Sequence, residues 1–297
     1  MHSLPPLLRD GAFRVGEALE LGLPERRLRP GALPTPHHGV RAPRESASLV
    51  DRCRDVLPVL GTGQCFSHDT AAGLWGLPLP QGHRFDPLHV TSPTGGRPRR
   101  PGVVGHRAGT VTGTFVGALP VVEPLTAWAQ CAALVPLDDV IAMGDALAGR
   151  WSKHATAREL PIERLAATVR AWGSRRGARR LREAMRWIRP RVWSPRETAL
   201  RLLLVRAGLP EPECNGEVTT AEGDLHADLV WRDARLAVEY EGDHHRTDRG
   251  QWRRDIARAE LFADAGWRRV RATDDDLADP SRILRRISRH LTSGALQ

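Results

Sequence analysis

The sequence predicts a mixed α/β fold in more than one domain, and three observations lead there. A chain of 297 residues is long for a single core at about 150 residues per domain. Apolar residues recur at helical spacing in several segments, as in "RRGARRLREAMRWI", where Ala178, Leu181, Met185 and Ile188 share a face. Short alternating runs lie between and beyond them, above all "HADLVWRDARLAVEYEG", in which two strand-forming stretches flank the polar "RDAR".

Composition narrows the class. A hydrophobic fraction of 41% and a charged fraction of 27% are those of globular protein, so general disorder is excluded. The formal net charge is +9 and Lys153 is the only lysine. Arginine presents a rigid fork of donors that matches phosphate, which points to nucleic acid; a GC-rich genome, which replaces Lys by Arg, gives the same composition. Cys53, Cys65, Cys131 and Cys214 form no C-x-x-C pair, so neither a zinc ribbon nor a disulfide framework follows. The N-terminus lacks the pattern of a secretory signal, and no apolar run reaches about 18 residues. A soluble cytoplasmic protein is expected, with no membrane partner.

Along the chain, residues 1–62 begin with "GEALELGL", stopped by Gly22, and "PERRLR", which restarts with Pro24 in a first-turn position. A helical hairpin fits, as does a winged-helix-like region with "PTPHHGVRAP" as its wing. Residues 63–136 read as a small α+β region, with a helix at "SHDTAAGLWGL" and strands at "LHVTSP", "GVVGHRA" and "ALPVVEP". Residues 137–192 should be a helical linker, with Arg175, Arg176, Arg179, Arg182 and Arg186 on its outer face. Such a stripe is either solvated surface or a track for a phosphate backbone. "RPRVWSP" then marks a boundary, and 193–297 form the last domain.

That domain carries the chemistry. "SPRETALRLLLVRAGL" is a helix with Ser194 as N-cap and Glu197 as its third residue, either a capping carboxylate or part of a site. In the hairpin, Leu236, Val238 and Tyr240 share one face, and Ala237, Glu239 and Glu241 the other. Pairing Trp231 with Leu236 sets Asp228 opposite Glu239. Carboxylates this close repel unless a cation intervenes. Arginine salt bridges would serve, and so would a divalent metal; oxygen donors alone suit Mg²⁺ or Mn²⁺. Beyond Gly242, His244 and His245 are positioned to move a proton. "DRGQWRRDIARAELFADAG" should be a helix with Trp252, Ile256, Ala259 and Ala263 inward and Arg253, Arg254 and Arg258 turned to a phosphodiester. A strand at "WRRVRAT" and a helix at "DPSRILRRISRHL" complete the order.

This succession, with "VEYEGDHH", "QWRRD" and "GW", resembles the PD-(D/E)XK nuclease superfamily, and within it the very-short-patch-repair-like (Vsr-like) endonuclease domains. The resemblance covers about residues 194–292. It implies a restriction-endonuclease-like domain, a mixed sheet flanked by helices, with Asp228 and Glu239 as metal-binding acids. Glu197 corresponds to the helix glutamate that orders metal or water, and His244 or His245 to the histidine near the nucleophilic water. Where the superfamily motif has lysine, this chain has Glu241, which leaves the general base open. The segments "GEALELGLPERRLRPG", "SHDTAAGLWGLPLP" and "HVTSPTGGRPRRPGV" resemble the winged-helix region of AbiEi-type antitoxin-like proteins.

The expectation is a metal-dependent DNA endonuclease, serving repair or defence against foreign DNA, with RNA open as the other polymer and a homodimer as a candidate assembly. The alternative is a DNA-binding, antitoxin-like regulator with a degenerate nuclease domain.

Overall fold

In a computed structural model of the chain, residues 4–93, 96–109, 113–242 and 249–294 are described, except for the side chains of 249–253 and 293–294. The chain divides into two compact units, residues 1–136 with 168–181, and residues 137–167 with 182–297.

In the first unit, β1 (Phe13–Arg14) pairs antiparallel with β2 (Val40–Arg41), and α1 (Val15–Glu20) follows β1. Leu8, Phe13, Ala18, Leu23 and Leu28 form their core. The helix expected at "PERRLR" is a single 3₁₀ turn, Glu25–Arg27. Pro30 disfavours the α conformation at Arg29 and cuts the segment short. Of the expected wing only β2 forms, because Pro34 and Pro36 have no N–H to give a ladder. The elements α2 (Leu49–Val56), β3 (Cys65–Phe66), α3 (His68–Leu74), β4 (Leu88–Ser92), β5 (Arg99–Arg100), β6 (Val103–Arg107), β7 (Gly113–Val116), β8 (Leu119–Val122) and α4 (Pro124–Cys131) come next. Their strands form one mixed sheet in the order β5-β6-β4-β3-β8-β7. Phe66 and Trp128 are fully buried, and the Trp75 indole donates to the Val122 carbonyl, which joins the end of α3 to β8.

The helices expected over 137–192 are α5 (Leu137–Ala148), α6 (Ile162–Trp172) and α7 (Ala178–Trp187). α5 belongs to the second unit, while the boundaries at 167/168 and 181/182 fall within α6 and α7. The apolar side of α7 is buried at Ala178, Leu181, Ala184 and Ile188. Just before it, Gly177 has φ +84 and lies so near the backbone of Ala132 and Ala133 that a Cβ would stand 2.7 Å from the Ala133 nitrogen. Neither the dihedral nor the space admits a side chain.

The second unit continues with α8 (Pro195–Arg206), β9 (Glu213–Thr220), β10 (Gly223–Trp231), β11 (Leu236–Tyr240), α9 (Arg249–Asp264), β12 (Arg268–Ala272), α10 (Asp274–Ala278) and α11 (Ser281–Gly294). The sheet order is β12-β11-β10-β9; β9, β10 and β11 are antiparallel neighbours, while β12 is parallel to β11 after the α9 crossover. One face buries Leu229, Trp231, Leu236, Val238 and Val270 with Leu200 and Leu204 of α8 and Ile283 and Ile287 of α11. The other buries Ala227, Val230 and Ala237 with Phe262 of α9. Helices on both faces with mixed strands between them make this an α/β unit. No helix among the described residues is long and apolar enough to cross a membrane.

α8 is fixed to α5 by a wholly buried ion pair. Arg201 Nη2 donates to Asp145 Oδ2 at 2.9 Å, with the two side chains 0% and 1% exposed. Asp145 also accepts from Thr198 Oγ1 and the Arg189 N–H, and Arg201 also donates to the Trp187 carbonyl. Replacing one partner strands the other charge. Asp145→Ala is expected to cost about 3–5 kcal/mol in urea unfolding, and the Asp145→Leu/Arg201→Met double variant to recover most of that loss.

Candidate active site

The site begins at the cap of α8. Ser194 Oγ accepts the Glu197 N–H at 3.1 Å, which fixes the first turn. Glu197 turns back, so that Oε2 accepts the Trp193 N–H at 2.9 Å and Asn215 Nδ2 at 2.7 Å, and the residue is 7% exposed. It is thus a capping carboxylate as well as an acid facing the sheet. Asn215 lies in β9 with φ +45, a left-handed conformation that asparagine tolerates better than most residues.

At that point the β9–β10 ladder is interrupted. Its register runs Ala227↔Gly216 and then Leu229↔Cys214, passing over Asp228 and Asn215. Ala227 and Val230, three residues apart, pack on the same face, which strict alternation forbids and an interruption at Asp228 permits. The β10–β11 register is Trp231↔Leu236, Val230↔Ala237 and Leu229↔Val238, as the sequence predicts. Beyond it, Asp228 Oδ2 takes the Tyr240 N–H at 2.7 Å.

Asp228 carries the clearest electrostatic signal. Burial, then the Glu197 charge, push its carboxyl up to about 7; the Tyr240 N–H opposes this, Glu239 adds to it and Arg258 moderates it. Burial raises Glu197 as well, against the N–H donors of Trp193 and Asn215. Glu239 has been given cations. Its Oε1 accepts Arg258 Nη2 at 2.6 Å and Nε at 3.0 Å, and its Oε2 pairs with Arg269. Glu241 is paired with Arg271 at 2.8 Å, nearer the surface.

Comparison with known proteins adds relatives without an activity. No protein-family model matches the chain, and no solved structure does. The sequence is similar to two Mycobacterium tuberculosis proteins, each described as uncharacterized: MT2308 of strain CDC 1551 / Oshkosh and Rv2248 of strain ATCC 25618 / H37Rv. Each is 30% identical over 166 residues, covering 49% of this chain and 61% of the relative. The chain therefore spans about three-fifths of the length of the curated relatives it matches.

The expected site residues are placed unevenly. Glu197, Asp228 and Glu239 are brought into one electrostatic neighbourhood, and Glu241 is held apart by Arg271. Among the described residues, these acids do not form a trio whose ligand atoms all lie within 4.8 Å of one another. His244, His245 and the Arg253 side chain lie outside the described residues. Arg254 is exposed on α9. Arg258 corrects the expectation that it faces a phosphodiester: it turns inward to Glu239 and to the His226 carbonyl. The rotation of α9 is set by Phe262, 0% exposed, while Ile256, expected inward, is 41% exposed. One buried aromatic outweighs several alanines. Arg175, Arg176, Arg179, Arg182 and Arg186 are exposed, with Arg186 paired to Glu183.

Sequence reasoning missed three participants, Asn215, His226 and Arg269. The His226 ring meets the Trp193 indole edge-on at 5.4 Å and, with Trp193, Arg191 and Arg150, lines a cavity of about 430 Å³ beside Glu197. Arg269 shares a face with Glu239 because it pairs with Ala237 across β11–β12. That alignment is legible once the parallel register is known.

A carboxyl raised in the folded state binds a proton that the unfolded chain has released, so its contribution to stability is lost as pH rises through about 7. Asp228→Asn removes that loss and keeps an acceptor for Tyr240. The variant is expected to exceed the native chain in stability by on the order of 2–4 kcal/mol near pH 8, with the gain gone near pH 4, as read by chemical denaturation at each pH.

Proposed function

We propose that residues 193–297 form a restriction-endonuclease-like domain that hydrolyses DNA phosphodiesters with a divalent metal. The observation that carries this reading is Asp228, a half-buried carboxyl raised to about 7 by desolvation and by Glu197, placed where the β10–β11 ladder ends and the β9–β10 ladder is interrupted. The succession α8-β9-β10-β11-α9-β12, with β12 parallel to β11, supports it as the arrangement the superfamily resemblance implies. An all-oxygen donor set suits Mg²⁺ or Mn²⁺. Asp228 and Glu197 are the carboxyls whose mutual repulsion a cation would relieve, and Glu239 joins them on release from Arg258 and Arg269. A bound metal polarises a phosphoryl oxygen and makes water a nucleophile near neutral pH.

The chain's own groups have defined tasks in this reading. Asn215 and the Trp193 N–H orient Glu197; the Tyr240 N–H orients Asp228. Arg258 supplies positive charge to the acids. Exposed arginines, Arg254 and those from Arg175 to Arg186, supply backbone contacts on DNA, or on RNA as the other polymer. The protein's N-terminal unit selects the target.

A second reading has its own observation. Both oxygens of Glu239 and both of Glu241 are occupied by guanidinium groups, as in a binding module that no longer needs a metal. That is a DNA-binding, antitoxin-like regulator with a degenerate nuclease domain. Supercoiled plasmid separates the two. The nuclease reading expects nicking that requires Mg²⁺ or Mn²⁺, falls at least about a hundredfold in Asp228→Ala and in Glu197→Gln, and stops with chelator. DNA binding that weakens steeply with salt, without metal-dependent nicking by the native chain, selects the regulator.

A further inference from the structure

In the first unit three histidines, far apart in sequence, meet over one sheet. His89 lies on β4, and His106 on the parallel neighbour β6, where it is aligned with Thr91. His68 enters from the start of α3 with φ +55, its N–H held by Gln130 Oε1 at 2.8 Å. His106 Nε2 is 3.0 Å from His89 Nδ1, and the His68 and His106 rings stack at 3.8 Å. One ring nitrogen from each histidine lies within 4.8 Å of the other two.

We propose that His68, His89 and His106 bind one Zn²⁺-like transition-metal ion, leaving a fourth coordination position open to an oxyanion such as phosphate. Tetrahedral zinc with bonds of about 2.0–2.1 Å separates its nitrogens by about 3.3 Å, close to the His89–His106 spacing. Imidazole-only donation selects zinc or its neighbours over magnesium.

Asp69, whose oxygens accept the Thr70 N–H at 2.7 Å and meet His83 Nε2 at 3.1 Å, lies 3.9 Å from His89 Nε2 and adds negative charge near the group. One further feature points to a ligand. Thr91 Oγ1 is wholly buried with no hydrogen-bond partner among the described residues, and Thr91 lines the same cavity as His68 and His106. That cavity, about 710 Å³, also presents Gln130, Arg107 and Arg176. Two guanidinium groups beside an open metal position suit an anion. The proposal is independent of the carboxylate site, which lies in the other unit.

The test uses the untagged full chain, stripped of metal and titrated with Co²⁺, then Zn²⁺. One Co²⁺ per chain is expected, with the intense visible absorption of four-coordinate cobalt, bleached by one equivalent of Zn²⁺ and perturbed by inorganic phosphate. His89→Gln and His106→Gln, checked for native circular dichroism, should lose the absorption. Asp228→Asn should leave it unchanged. X-ray absorption of the Zn²⁺-loaded native chain gives a reading free of folding effects, four nitrogen or oxygen ligands at about 2.0–2.1 Å with the outer-shell scattering of three imidazoles. No four-coordinate cobalt spectrum from the native chain, an unaltered spectrum in folded His106→Gln, or sulfur or six oxygens around the zinc overturns the proposal. An unaltered spectrum with phosphate overturns its oxyanion part.

Discussion

The buried pair of Asp145 and Arg201 is the constraint on which the second unit is built. Removing both charges from water is costly, and the pair is tolerated because nearly every remaining donor and acceptor is used: Thr198 and the Arg189 N–H on the carboxylate, the Trp187 carbonyl and Glu211 on the guanidinium. Even so, burial holds the Asp145 carboxyl up at about 6. Apolar residues at these positions would pack without this cost, but they would let α8 rotate or slide. The ionic version allows one position, which sets Ser194, hence Glu197, hence the acid that faces Asp228.

Charge is then allocated unequally along the sheet. Glu239 and Glu241 receive guanidinium partners from α9 and β12, whereas Asp228 and Glu197 receive mainly N–H donors and each other. A hydrogen bond from an amide offsets less than a full cation does, so the buried acids resist ionisation. The difference divides the cluster into a neutralised half and a frustrated half. The frustrated half is what the proposed nuclease reading rests on; the neutralised half is what the regulator reading rests on.

Much of this was legible because it is local. The Ser194 cap, the strand faces of β11 and the Trp231–Leu236 pairing follow from period and turn chemistry within a few residues. The strand β9 was not, since "ECNGEVTT" mixes cysteine, asparagine and glycine without a clean apolar alternation, and its pairing with β10 is interrupted where Asn215 adopts φ +45. The rotation of α9 was also hidden: its candidate stripes were similar, and Phe262 decides between them only when the sheet behind it is known. The imidazole group was out of reach for a different reason. His89 and His106 are joined by the parallel pairing of β4 and β6, and His68 follows β3 beside β4, so the three leave no spacing signature in the sequence.

The central claim, on the proposed reading, is that Asp228, a half-buried acid raised to about 7, gives up its proton when a divalent cation binds. Calorimetric titration with Mn²⁺ near pH 6, repeated in buffers of different ionisation enthalpy, measures the protons released on binding. The account predicts release approaching one proton per Mn²⁺ in the native chain and none in Asp228→Asn. Mn²⁺ binding without proton release, or equal release from both chains, would contradict it.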